Sequence, residues 1–284
     1  MLLVQILVNG VLLGGLYGLM ALGMALVWGV LNIVNLAHGA FIMLGGYLVF
    51  FLFTAGLDPL VSLPIAMAAL FVFGYVIQRG LLNLIVRSAL LNTLLFTFGL
   101  DVVLTYLAQL LFSADFRTIN PSYAGANFNV GAVTVPVGRL IAFGIAVALA
   151  LLLWLMLERT RLGRAIRATA QNLDAARLYG VDPAQIYAIT FGIGAALAGA
   201  AGTLYGIVAQ ITPYIGVTLT PKSFVIAIIG GLDNPLRIVA GGIVIGLAEA
   251  VTSLYLGPTY TDVVSFGLLV LILVLRPARS LKIA

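Results

Sequence analysis

The sequence has no cysteine and a single histidine, so disulfides, thiolate metal sites and a multi-histidine metal centre within the chain are excluded. Charge is almost as scarce. Only 8% of the 284 residues are charged and 63% are hydrophobic, against about a quarter and roughly half in soluble domains. With a mean hydropathy of +1.20, an ordinary water-soluble fold is excluded and the chain reads as an integral membrane protein. Alternating ten-residue segments of the barrel type are missing as well, so the spans are expected to be helices that satisfy their own backbone in lipid. The amino terminus lacks the basic stretch and small-residue cleavage site of a secretory signal, and its first apolar run is expected to remain as a span. The net charge of +5 does not mark a nucleic-acid surface, because the arginines fall at span ends and in loops instead of forming one basic face.

What the sequence does have is hydrocarbon in lengths of about 20 residues, the helix needed to cross a core roughly 30 Å thick. Full spans are expected at 2–29, 41–54, 59–78, 88–112, 139–157, 184–209, 238–256 and 263–275. Together they make an all-α polytopic membrane protein, one transmembrane domain over residues 1–284. A ninth, short or re-entrant helix is expected around 224–232, too short to cross unless 217–223 contributes. Glycines 10, 14 and 18 in the first run give a spacing that lets another helix approach closely, and Gly192, Ala196 and Ala200 give a second small-residue face. Residues 31–40 interrupt the apolar pattern with Asn32, Asn35 and His38.

One stretch, 158–183, is polar. It holds Arg159, Arg161, Arg164, Arg167 and Arg177 against Glu158, Asp174 and Asp182, and an arginine excess in a short loop between spans marks the cytoplasmic side. Arg79 with Arg87, and Arg276, Arg279 and Lys282 at the carboxy terminus, are expected on that same side. The loop 113–138 carries turn formers such as Asn120, Pro121, Gly125 and Gly131 instead, and is expected outside. Counting back places the amino terminus outside, unless a re-entrant segment around His38 reverses it.

Within the polar stretch the spacing predicts a two-turn helix. Asn172 supplies a side-chain oxygen for a free N–H of the first turn, Asp174 suits the positive end of the helix dipole and Gly180 suits a left-handed cap. Asp182 with Pro183 then reads as the cap and first position of the next helix. So short a helix is marginal in water alone, so it is expected to pack against a partner or the ends of the spans. An amphipathic segment on the lipid headgroups is the other reading.

These residues carry a resemblance. The run Asp174-Ala-Ala-x-x-x-Gly180 resembles the Glu-Ala-Ala-x-x-x-Gly loop of ABC importer permeases, with Asp for Glu. Arg161-Leu-Gly-Arg-Ala-Ile-Arg-Ala168, Asn32-Ile-Val-Asn-Leu-Ala-His-Gly39, Gly45-Gly46-Tyr47 and Gly14-Gly15-Leu-Tyr-Gly-Leu-Met-Ala-Leu-Gly23 are similar to the high-affinity branched-chain amino acid permeases, in the same order and nearly end to end. The resemblance implies a type II-like importer fold and the smaller permease of a pair, in a bacterial or archaeal cytoplasmic (inner) membrane. It implies a second permease subunit, two cytoplasmic ATP-binding subunits and an outer substrate-binding protein as partners, and no cofactor. Arg164, Asn172, Asp174, Ala175, Ala176 and Gly180 would couple the chain to an ATPase. ATP hydrolysis itself would belong to the partners, since the sequence has no Walker loop ending in Gly-Lys-Ser or Gly-Lys-Thr. The sequence departs from the family at Asp233, Asn234 and Arg237, where glycine and serine are usual, which questions a tight glycine turn there and admits another substrate.

Ionisable and amide groups at membrane depth are costly and so are candidates for function. Asn32, Asn35, His38, Asp101 and Glu249 are the translocation-path candidates. Each has a structural alternative: helix capping for the asparagines, a bond to a freed carbonyl for His38, a hydrogen bond to a partner permease for Glu249. Tyr205, Gln210, Thr212, Pro213 and Tyr214 surround a break that reads as a gate or a plain connector. With so few polar groups in the spans, specificity is expected to rest mainly with the binding protein. A stand-alone secondary transporter or channel relaying protons through His38, Asp101 and Glu249, and a permease for amides or urea, are the competing readings.

Overall fold

The protein, described from a computed structural model, is resolved into elements over residues 2–86, 90–131 and 133–275. Arg87, Arg276, Arg279 and Lys282, on which part of the sidedness rests, lie outside the described residues. Small residues decide how the helices meet. Helix α1 (Leu2–Leu31) runs antiparallel to α11 (Pro235–Tyr255), Gly10 facing Ala250 and Gly18 facing Val239. A Cβ at Gly14 would lie 2.5 Å from Ile243 Cα, and one at Gly242 would lie 2.4 Å from the Gly14 carbonyl oxygen. The expected close approach is therefore backbone on backbone, and both helices supply the glycines.

Helix α9 (Pro183–Val208) is the axial element, packed on α1, on α2 (His38–Thr54) and on α3 (Pro59–Ile77). It is apolar around its whole circumference and buried along most of it, as a helix without a polar face must be. Gly192 faces Phe71, Gly194 faces Val27 and Gly202 faces the Ile42 carbonyl. After α3 a π-turn at Gln78–Leu82 and the short α4 (Asn83–Ile85) complete the descent. Helices α5 (Leu90–Phe112) and α6 (Val137–Arg159) are mostly exposed on their outer sides to whatever surrounds the chain.

Among the described residues, six helices are long and apolar enough to cross a membrane. Three more apolar helices are shorter: α2, with 17 residues, α10 (Ile215–Gly230), with 16, and α12 (Thr261–Leu275), with 15. Of the eight expected full spans, α2 falls below the length of about 20 residues, and α12 is described only as far as Leu275. The ninth segment is longer than expected, since 217–223 joins it across Pro221.

The connections fall at two ends of the bundle. One end, the loop face, carries α7 (Arg161–Gln171) and α8 (Leu173–Leu178), and also the turn 231–234 that precedes α11. That turn answers the departure at Asp233 and Asn234. Gly231 takes a φ of +80°, and Asn234 caps α11 by accepting from Leu236 N at 2.9 Å, so a single glycine and a cap do the work. The other end carries a two-stranded hairpin, β1 (Asn127–Val130) antiparallel to β2 (Val133–Pro136), with Asn127 opposite Pro136. Gln5 Oε1 accepts from Thr134 N at 2.7 Å, pinning the hairpin to α1. Tyr123 donates to Asp58 at 3.1 Å beside the start of α3, and burial with that carboxylate holds its phenol well above the usual range, so it stays a donor. Arg117 and Ile211 exchange backbone hydrogen bonds of 2.9 and 2.8 Å, tying the 113–138 loop to the break after α9.

Candidate functional site

The polar loop folds by local rules. Thr160 caps α7 by accepting from Gly163 N at 2.9 Å. Helix α7 buries Gly163, Ile166 and Thr169 and turns Arg161 and Arg164 outward. Asn172 caps α8 through a 2.9 Å bond from Ala175 N. Gly180 closes it at φ +81°, with Gly180 N donating to Arg177 O at 2.9 Å and Val181 N to Ala176 O at 3.1 Å. A Cβ there would force a left-handed conformation on an ordinary residue. Asp182 caps α9 by accepting from Ala184 N at 3.0 Å, with Pro183 in the first position. Every expected cap of this stretch is present.

Helix α8 leans on Ala176, its buried residue, and on α7 and α9. Its far end is open among the described residues. Leu178 and Tyr179 are each 89% exposed, two large apolar side chains on a polar loop beside the glycine cap. The sequence reading missed them; apolar residues at the tip of a basic loop were the available signal. The ion pairs around them are weak anchors. Asp174 to Arg177 is 3.6 Å with Asp174 89% exposed, and Arg79 to Asp182 is 3.9 Å; exposed pairs contribute about 0–1 kcal/mol. Under the loop, Leu26, Val30, Trp154 and Ile166 wall a cavity of about 520 Å³ edged by Glu158 and Arg167, which pair at 3.3 Å.

The second region is the break after α1. Asn32 ends α1 in a left-handed conformation, φ +55°, with its N–H on Trp28 O. Trp28 is stacked on Phe224 near the loop face, yet His38 Nε2 donates to the Met20 carbonyl at 2.7 Å. Met20 lies 11 residues before Leu31, so the non-helical segment 32–37 turns back along α1 into the bundle. Non-helical backbone at this depth survives only inside protein, with its polar groups satisfied. Here Ala37 N donates to Asn35 Oδ1 (3.1 Å), Thr220 Oγ1 takes Gly39 N (2.8 Å) and reaches the Leu36 carbonyl (3.3 Å), and Thr97 Oγ1 reaches the Val34 carbonyl (3.3 Å). Helix α2 therefore starts inside the bundle, a broken element of the kind from which transporters build their sites. Asn32 ends α1 through its backbone, Asn35 closes a turn onto Ala37 N without capping α2, and His38 bonds a carbonyl.

The third region was half legible. Glu249 on α11 is buried and does not wait for another chain: Lys222 Nζ on α10 lies 2.8 Å from its Oε1, and Ser265 Oγ on α12 donates to the same oxygen at 2.8 Å. Lys222 also approaches Asp262 at 3.4 Å, and its ammonium sits 4.8 Å from the Tyr17 ring centroid. Four helices thus meet on one lysine. Sequence reasoning passed over Lys222, which lies in the 217–223 run weighed only as an extension of the short helix; a lone lysine between apolar stretches was the signal. His38, Asp101 and Glu249 are not joined: each has its own surroundings, and Asp101, half-buried on α5, has an oxygen without a hydrogen-bond partner among the described residues.

With this geometry in place, kinship decides the family. Residues 6–273 match the model of the branched-chain amino acid transport system permease component. The chain belongs to that family. It is 35% identical to the high-affinity branched-chain amino acid transport system permease protein BraD of Pseudomonas aeruginosa, over 98% of this chain and 95% of that protein. It is 33% identical to the corresponding LivH of Escherichia coli K12, over 96% and 93%, and 28% identical to LivM of the same organism, over 92% of this chain and 67% of LivM. No solved structure matches. Six membrane-length helices among the described residues, in a permease family, make this a multi-pass membrane protein, and the family assignment favours the permease reading over the stand-alone alternatives.

Proposed function

We propose that the chain is the smaller permease of an ATP-driven importer for branched-chain amino acids and forms half of the translocation pathway. BraD, LivH and LivM are named for that transport system, and two different permeases among the relatives support a pore completed by a second permease subunit. In this reading the chain acts as one permease unit in a bacterial or archaeal inner membrane, with the arginine loop inside and the hairpin outside. Two ATP-binding subunits sit under the loop face, and a substrate-binding protein delivers the amino acid at the hairpin face.

The observation that carries the reading is the shape of α8. A helix capped at both ends, held by Ala176 and presenting Leu178 and Tyr179 to solvent, is a rigid knob suited to an apolar groove of an ATPase. Arg164, Asn172, Asp174, Ala175 and Gly180 shape and flank that knob. Closure of the ATPases would rock α8 and, through Pro183, the axial helix α9 as a rigid body. Substrate would then pass by alternating access.

The test is reconstitution. The chain with its partner permease, ATPases and binding protein should take up leucine into proteoliposomes on ATP, and a chain that transports alone on a proton gradient would sink the reading. Gly180→Val should cut uptake per ATP at least tenfold while the complex still assembles, because a β-branched residue at φ +81° costs about 1–3 kcal/mol and tilts the knob. Normal coupling in that variant would count against the role of α8.

A further inference from the structure

Beside the Lys222 cluster lies a cavity of about 160 Å³. Its walls join two kinds of chemistry: Val217, Val225 and Phe266 are apolar, while Lys222, Asp262 and Ser265 are polar. We propose that this cavity is a membrane-embedded binding site for a zwitterionic branched-chain amino acid, its ammonium on Asp262, its carboxylate on Lys222 and its side chain against Val217, Val225 and Phe266. The proposal rests on the permease reading above and names where in this chain the substrate is held.

Charge balance is the first argument. Lys222 is the one cation among two carboxylates, and its contacts are unequal. Glu249, at 2.8 Å and 10% exposed, is the tight and buried arm; Asp262, at 3.4 Å and 54% exposed, is the loose one. A zwitterion inserted between Lys222 and Asp262 replaces one long ion contact with two and adds no net charge to a low-dielectric site. A simple anion would add to the excess of one carboxylate there, with the desolvation cost that follows. The Glu249 contact and the Tyr17 face hold the lysine in place during the exchange, the latter through attraction of the ammonium to the ring.

Size is the second argument. A dry cavity of about 150 Å³ accepts benzene; this one, of about 160 Å³, has room for a four-carbon branched side chain. Position is the third. The cluster spans α10, α11 and α12 and touches α1, and α10 also holds the broken segment through Thr220. Occupancy at Lys222 is thereby connected to the start of α2 along a single helix.

The experiment is saturation-transfer NMR of isoleucine methyl groups on the assembled transporter in nanodiscs, without the binding protein. Wild type should show transfer that leucine displaces and that neither leucinol nor 4-methylvalerate displaces. Val217→Trp, at a position 66% exposed, fills the cavity mouth without touching the ion pairs, and Asp262→Asn removes the ammonium partner; each should lower the transfer at least fivefold in complexes that elute as the wild type does. Should Asp262→Asn fail to assemble, Val217→Trp decides alone. Absence of transfer in the wild type, unchanged transfer in the variants, or equal displacement by leucinol or 4-methylvalerate overturns the site. These outcomes are separate from the importer reading, which stands or falls on ATP-driven uptake by the wild type.

Discussion

The arginine loop and the Lys222 cluster are both islands of charge in an apolar chain, and they are built in opposite ways. In the loop the charged residues are consecutive in sequence, solvent-exposed and weakly paired; what holds the loop together is caps and one buried alanine. In the cluster the residues are scattered from Tyr17 to Ser265, largely buried, and their ion pairs and hydrogen bonds are the structure. Water explains the difference. An exposed carboxylate gains little from a partner that solvent already replaces, whereas a buried lysine without one is an uncompensated charge. A part that must meet another protein is therefore fixed by backbone geometry, and a part that must hold charge in lipid is fixed by partners.

That contrast breaks most visibly at Glu249. Glu249→Leu leaves Lys222 with Asp262 alone and should destabilise the protein by about 3–5 kcal/mol, seen as a large drop in the thermal unfolding temperature in detergent. The double variant Lys222→Met with Glu249→Leu should recover most of the loss, because an apolar pair of similar volume replaces a buried ion pair at little cost. Failure of the double variant to recover would mean that the cluster stabilises by packing instead of charge. Next in size, Gly14→Leu forces a side chain into the Ile243 backbone and should cost about 1–3 kcal/mol, measured the same way; it tests whether glycine contact, not charge, sets the α1–α11 distance. Asn172→Ala removes only the cap of α8 and should cost about 1 kcal/mol. Its readout is faster hydrogen exchange at Ala175 N–H with the spans unchanged, and equal loosening of the spans would show that the loop is not the independent unit drawn here. Asp174→Ala, at the exposed end of the series, should leave the unfolding temperature where it is.

Much of the fold was legible because lipid imposes few solutions. The run 2–29 became α1 within two residues, and the expected glycine face met its partner. The caps at Asn172, Gly180 and Asp182 were readable for another reason: a cap is a bond between residues two or three positions apart. The start of α2 was not readable from hydropathy, because an apolar run does not say at what depth its helix begins. His38 shows this plainly, since the same sequence reads as a second span or as a broken segment until Met20 is placed beside it.

The sequence alone determined that this is a helical membrane protein of the branched-chain permease family, with a capped two-turn helix in its basic loop, because composition, periodicity and capping act over neighbouring residues. Only the tertiary structure decided that Glu249 belongs to Lys222, that 32–37 turns back into the bundle, and that a cavity opens beside a lysine. Those facts join residues far apart in the chain, and at membrane depth a polar group is placed by whichever partner relieves its desolvation, which no local spacing encodes.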